Sequence, residues 1–127
     1  MVSNIRLYTS CFALARKVPC PVSIARSEPA WFKNSQHFLT YKRLAPSWRL
    51  IQKSKQGKIT WQEYQTEYHQ EVLDTLNPQL VLQELSQAFG QELTLMCWEK
   101  NDSFCHRRLV ARWLNSTCDL EIPEIQL

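Results

Sequence analysis

Glycine is nearly missing: the 127-residue chain holds two, Gly57 and Gly90. That excludes a glycine-rich phosphate loop, because backbone amides crowd a phosphate only where side chains leave room. Long apolar runs are missing as well. No stretch approaches the roughly 18 residues of a membrane-spanning helix, and the segment MVSNIRLYTSCFALARK carries Arg6 and lacks the apolar core of a secretory leader. A cytoplasmic address and no membrane partner are the expectations that follow. The five cysteines, Cys11, Cys20, Cys97, Cys105 and Cys118, include no Cys-x-x-Cys pair, so no zinc module of standard spacing is expected, and in a reducing compartment all five should be thiols. A large charge excess is also absent. Lys and Arg number 15 against 12 Asp and Glu, interspersed, for a net +3; this permits an anionic ligand but falls short of the basic face of most nucleic-acid binders. There are no internal repeats, low-complexity runs or linkers.

What remains is ordinary globular chemistry, with 44% hydrophobic and 21% charged residues. The length suits one domain over 1–127, able to bury about two-thirds of the surface its unfolded form exposes. Its organising stretch is LTLMCWEKNDSFCHRRLVARWL, Leu93 to Leu114. The apolar run from Leu93 to Trp98 is too short for a buried helix and stops at polar Glu99 to Ser103, which predicts a buried strand ending in a loop. Leu109, Val110, Trp113 and Leu114 then recur at helical spacing. The unit is strand, loop, helix, with Cys105, His106 and Arg107 in the first helical turn.

Upstream, Asn4 to Ser10 alternates Ile5 and Leu7 with Arg6 and Tyr8, predicting a first strand. Cys11 to Lys17 has room for one or two helical turns before Pro19 and Pro21, and Val22 to Arg26 is a short second strand. Ser27 to Tyr41 has aromatics without period and reads as a long loop, a common place for a lid. Pro46 is placed for the first position of a helix ended by Gly57. Thr60 and Glu63 have capping-box spacing ahead of Trp61, Tyr64, Tyr68, Val72, Leu73 and Leu76. Asn77-Pro78 opens another helix, closed by Gly90. The tail, with Leu120 and Ile122 alternating, is a candidate edge strand limited by Pro123.

Strands separated by helices imply parallel pairing. The expected fold is therefore a small three-layer α/β domain, a mainly parallel sheet of three strands with a possible fourth at its edge. The simplest order puts the first strand in the middle. The carboxyl ends of the strands would then gather Thr9, Ser10, Arg26 and Glu99 beside Cys105, His106 and Arg107, where open α/β sheets bind ligands.

The stretches YTS (Tyr8–Ser10), SIAR (Ser23–Arg26) with Pro29-Ala30-Trp31-Phe32, YKRLAPSW (Tyr41–Trp48) and CWEKNDSFCHRR (Cys97–Arg108) resemble the family catalogued as domain of unknown function 488. The resemblance runs to about Leu114, and the Cys-x-Glu... Cys-His-Arg segment is its most specific part. It implies a small α/β protein with these positions as its signature, and no established reaction. Trp98 stands where a tyrosine is common, and Arg108 where the pattern often has histidine; Cys11, Cys20 and Cys118 lie outside it.

Cys105 near a helix start, close to Arg107 and His106, has the surroundings that lower a thiol pKa and make a nucleophile. A buried free cysteine acting as a small hydrophobe is the plainer alternative. Ala111 stands where the thiol phosphatase pattern requires arginine, which disfavours that chemistry. Cys97, Glu99, Cys105 and His106 offer metal ligands, yet their spacing matches no standard zinc pattern and Cys97 reads more simply as core, so no metal ligand is assigned. Glu99 is a candidate general acid or base, or else a salt-bridge partner of Arg26 or Arg107. Arg26 and Arg107, with Thr9 and Ser10, make a candidate anion cradle, and Trp31, Phe32 and Tyr41 could close over a flat ligand. Two classes of function follow: an enzyme on a small anionic or nucleotide-like ligand, with Glu99, Cys105 and His106 as catalytic candidates, or a non-catalytic module binding a ligand, nucleic acid or protein in the same crevice. The pattern names no cofactor and no oligomeric state.

Overall fold

The strand on which both others lean is the last in the chain. In the computed structural model, which describes residues 5–35, 38–98 and 105–126, β1 (Arg6–Cys11), β2 (Pro21–Ser23) and β3 (Glu92–Cys97) form one parallel sheet in the order β1-β3-β2. Leu7 pairs with Leu93 on one side of β3, and Val22 with Leu95 on the other. The expectation that β1 lies in the middle is thus corrected. The side chains give the reason: Leu93 to Cys97 are all buried, as suits a strand covered on both faces, whereas Arg6 is exposed and Tyr8 half-buried, as suits an outer strand.

The helices are α1 (Ala30–Lys33), α2 (Trp48–Lys55), α3 (Trp61–Glu71), α4 (Pro78–Phe89) and α5 (His106–Cys118), with 3-10 turns at Phe12–Lys17, Lys42–Leu44 and Leu73–Thr75. Local chemistry sets their starts. Thr60 Oγ1 accepts the Glu63 N–H at 3.1 Å while Glu63 Oε1 accepts the Thr60 N–H at 2.9 Å, the reciprocal capping box. Asn77 Oδ1 accepts from Gln79 and Leu80 at the start of α4. Pro46, expected as the first residue of α2, instead precedes its cap: the Ser47 hydroxyl accepts the Leu50 N–H at 3.1 Å. Gly57 and Gly90 follow α2 and α4 with φ of 67° and 99°, a region open to glycine at little cost.

Pairing in β2 ends sooner than the pattern Val22 to Arg26 suggests. Ile24 N–H still donates to Met96 O at 3.0 Å, and beyond it the chain turns away from the sheet, carrying Arg26 out of register. The segment expected as one long loop contains the single-turn helix α1, pinned by buried Phe32 against Phe12 at 5.1 Å between ring centroids.

Register partners share a face, so Leu7, Val22, Leu93 and Leu95 point together into a core completed by Leu50, Tyr68, Leu85 and Leu109 from α2 to α5. On the opposite face Met96 packs with Phe12, Ala15 and Phe32. The sheet is therefore the middle of three layers. The tail lies along the outer edge of β1, where Thr9 N–H donates to Pro123 O at 3.0 Å and Ile125 N–H to Thr9 O at 2.8 Å. It contributes one parallel bridge, at Glu124, and Pro123, with no N–H to offer, takes part through its carbonyl as edge prolines do.

Because β3 is the shared strand, shortening its core side chain should cost far more than shortening an exposed helix side chain. Leu95→Ala is expected to lower unfolding free energy by about 2–5 kcal/mol, and Leu80→Ala, at a position 57% exposed, by about 0.5 kcal/mol or less, read by urea denaturation. Similar values for the two would contradict the central placement.

Candidate functional site

The site forms where the central strand stops and α5 starts. Cys97 is the last residue of β3, Cys105 the N-cap of α5, and His106 and Arg107 its first two residues. This places two sulfurs, an imidazole and a guanidinium at the carboxyl edge of a parallel sheet, the general ligand edge of such sheets. Cys97 and Cys105 are joined in a disulfide with a Cα separation of 7.3 Å. The expectation of five free thiols is corrected accordingly, since folding brings a strand end and a helix cap eight residues apart into contact; Cys11, Cys20 and Cys118 are free. The two sulfurs and an imidazole nitrogen of His106 lie within 4.8 Å of one another, a potential ligand set for a metal ion.

Arg107 is fully buried. Its Nη1 donates to Cys97 Sγ at 3.0 Å and Cys105 Sγ at 2.9 Å, while Nε and Nη2 donate to the two carboxylate oxygens of Glu124 at 2.9 and 2.6 Å. This is the forked geometry that makes arginine–carboxylate pairs strong. Glu124 also accepts the Thr9 hydroxyl at 2.7 Å, and the Ser10 hydroxyl donates to Ile125 O at 2.9 Å. Burial pushes the Glu124 pKa up, but the bonds from Arg107 and Thr9 outweigh it and hold the carboxyl below its ordinary value.

His106 is likewise buried. Its Nε2 lies 2.6 Å from Ile24 O; a carbonyl only accepts, so the proton sits on Nε2 and the lone pair on Nδ1. Burial lowers the pKa to about 4 against the upward pull of the Ile24 bond, so the ring is neutral at pH 7. It rests 5.5 Å from the Tyr68 ring, centroid to centroid.

A cavity of about 260 Å³ opens beside these groups, with Cys97, His106, Arg26, Trp48, Lys55 and Trp98 in its wall. Arg26 is held in place by donating from Nε to Pro46 O at 2.9 Å and from Nη2 to Ala45 O at 3.2 Å. Its own backbone is clamped from behind: Lys42 Nζ donates to Ala25 O at 2.7 Å and Arg26 O at 3.2 Å and pairs with Glu28, which in turn accepts the Ser23 hydroxyl at 2.7 Å. Trp98 is fixed by donating from Nε1 to Ser27 O at 2.7 Å, with half its surface left exposed.

Of the residues singled out from sequence, Arg26 and His106 line this cavity, while Cys105 is joined to Cys97 in its wall. Arg107, Thr9 and Ser10 come together, but around Glu124 and the tail, on the closed side of the disulfide. Tyr41 donates to Glu84 of α4 and lies outside the cavity wall, its pKa raised by burial and by that carboxylate. Glu99 lies outside the described residues. Sequence reasoning passed over Glu28, Lys42 and Glu124. Glu28 lies in, and Lys42 just beyond, an aperiodic stretch that gives no clue to burial, and Glu124 sits in a tail with no periodic signal to mark its partners. Trp48 and Trp98 were readable as aromatics, but not as cavity walls.

The Glu124 carboxylate has a pH signature. Its folded pKa is below its unfolded value near 4.5, so the stabilisation is fully present above that pH and is lost as pH falls through the folded value. Wild-type protein should therefore lose stability on acidification below about pH 4.5. Glu124→Gln should be weaker already at neutral pH, by about 3 kcal/mol, with a shallower acid limb in urea midpoints measured against pH. Parallel acid limbs for the two proteins would contradict the assignment.

Two comparisons are blank: no curated protein and no solved structure matches the chain. The family comparison is not. The model of DUF488-N3a, described as the active DUF488-N3 subclade, matches residues 8–118, a span that takes in β2, β3, all of β1 beyond Leu7, the Arg26 turn and the whole of α5. It bears out the resemblance carried by the strand-end and Cys-His-Arg segments, and the chain belongs to this family.

Proposed function

We propose that the protein is an enzyme acting on a small anionic, nucleotide-like ligand held at the carboxyl edge of the sheet. The observation that carries this reading is that buried Cys97 and His106 share one cavity wall with Arg26. A guanidinium and a reducible sulfur lining one hollow is an arrangement for holding an anion near a reactive atom. The cavity, about 260 Å³, lies just below the roughly 300–1,000 Å³ of drug-sized pockets and so suits a small ligand, and exposed Trp48 and Trp98 at its wall offer flat faces for a base or similar ring. The description of the matching subclade as active points the same way.

In this reading Arg26 binds the anion, and Cys97 is the group presented to the ligand, with Cys105 as its partner sulfur. Arg107 is a positioning residue: it directs its Nη1 amino group at both sulfurs while Glu124 balances its charge. A thiol role belongs with a reducing, cytoplasmic setting.

Isothermal titration with mononucleotides and sugar phosphates tests the reading. A ligand that binds wild type should bind Arg26→Ala about 10- to 100-fold more weakly, the worth of a hydrogen bond to a charged group. Arg112→Ala, on the opposite side of α5 from the core, should bind as wild type. Cys97→Ser should retain binding and lose turnover. Equal losses at Arg26 and Arg112 would point to a general basic surface, and binding without turnover in wild type would make the protein a binding module.

A further inference from the structure

We infer that the reduced Cys97–Cys105 pair, together with His106, forms a zinc site whose fourth position opens into the Arg26 cavity. The inference goes beyond the ligand reading and stands without it, because it rests on the ligand atoms alone.

Two sulfurs and an imidazole nitrogen already lie within 4.8 Å of one another, and all three residues are buried. The imidazole is prepared for coordination. With Nε2–H committed to Ile24 O at 2.6 Å, the lone pair is on Nδ1, and a carbonyl behind a histidine is the usual device that fixes the tautomer of a metal ligand. The backbone spacing fits as well: 7.3 Å between the Cα atoms is wider than the roughly 4.4–6.8 Å that disulfides ordinarily span, which suits a pair of sulfurs meeting at a third atom.

Charge balance narrows the occupant. Arg107 and Glu124 already neutralise each other, so two thiolates would add two negative charges to this buried place, and a divalent cation bound directly to both sulfurs cancels them. Sulfur and imidazole donors select zinc over magnesium or calcium, which take oxygen ligands. The Arg107 N–H contacts at 3.0 and 2.9 Å then serve as outer hydrogen bonds to the coordinated sulfurs. Cys97 and His106 face the cavity, whereas Cys105 is not part of its wall. The site is therefore closed on one side and open on the other, as in zinc sites with three protein ligands and one exchangeable position.

The oxidised pair cannot coordinate in this way, so the site exists only after reduction. A phosphine reductant attacks one sulfur, breaks the S–S bond, takes oxygen from water to become the phosphine oxide, and leaves two thiols; Zn²⁺ then displaces their two protons. Oxidation state thus decides between a disulfide and a metal centre built from the same residues.

The test uses the full chain, reduced with a phosphine under argon, loaded with Zn²⁺ and desalted, with metal counted by mass spectrometry. About one zinc ion per chain is expected, and none for the protein left oxidised. Loaded with Co²⁺ instead, the reduced wild type should show the thiolate-to-cobalt charge-transfer band in the near ultraviolet and the intense visible bands of a tetrahedral ion. Cys97→Ser, Cys105→Ser and His106→Gln should each weaken Co²⁺ binding about 100-fold or more. The cobalt spectrum of wild type decides the question without any variant, so a variant that does not fold leaves the answer intact. Substoichiometric zinc in the reduced protein, a cobalt spectrum without the thiolate band, or equal metal retention by the oxidised protein would each overturn the site. None of these outcomes touches nucleotide or sugar-phosphate binding through Arg26, so the two readings fail separately.

Discussion

A full positive charge with no solvent exposure is the constraint around which this molecule is arranged. Removing the Arg107 guanidinium from water costs several kcal/mol unless every N–H finds an acceptor, and acceptors come from three separate segments: Glu124 from the tail, Cys97 from the end of β3 and Cys105 from the cap of α5 itself. Meeting that requirement fixes the tail against β1, where Thr9 shares the same carboxylate, and sets the first turn of α5 against the strand end. The hydrocarbon core would tolerate several placements of the tail. The buried cation tolerates far fewer.

The same interaction divides the sheet edge into two sides. On the closed side Arg107 and Thr9 both bond to Glu124, and Ser10 bonds to Ile125 O beside it. On the open side Arg26, His106 and Cys97 face a hollow, and Arg26 is kept at its wall by the Lys42–Glu28–Ser23 chain behind its backbone. The two arginines are therefore placed differently: Arg107 is bonded to both sulfurs, and Arg26 lines the hollow.

Much of this was legible in the chain, and the failures have identifiable physics. Local signals were reliable: the Thr60–Glu63 box, the Asn77-Pro78 start and the closing glycines depend on neighbours a few residues apart. Strand order was misjudged, although its signal was present. The unbroken apolar run of β3 marks a strand covered on both faces, while Arg6 and Tyr8 mark an outer one. Placing Arg107 in an anion cradle treated its charge as available, because its counter-ion lies in a tail whose sequence, interrupted by Pro123, advertised at most an edge strand. Pairings of that separation leave no periodic trace. Sequence did bring Cys97, Cys105 and His106 to one neighbourhood, through the strand–loop–helix pattern alone, but not the disulfide between two of them.

The measurement that bears most directly on this account is a double-mutant cycle on Arg107 and Glu124, with Arg107→Gln, Glu124→Gln and the double variant unfolded in urea at neutral pH. A buried forked pair on which the tail and the sulfurs both depend should give a coupling energy of about 2 kcal/mol or more, the double variant losing far less than the two single losses added together. Strictly additive losses would mean that the guanidinium and the carboxylate are held independently, and the closed side of the site would have no common support.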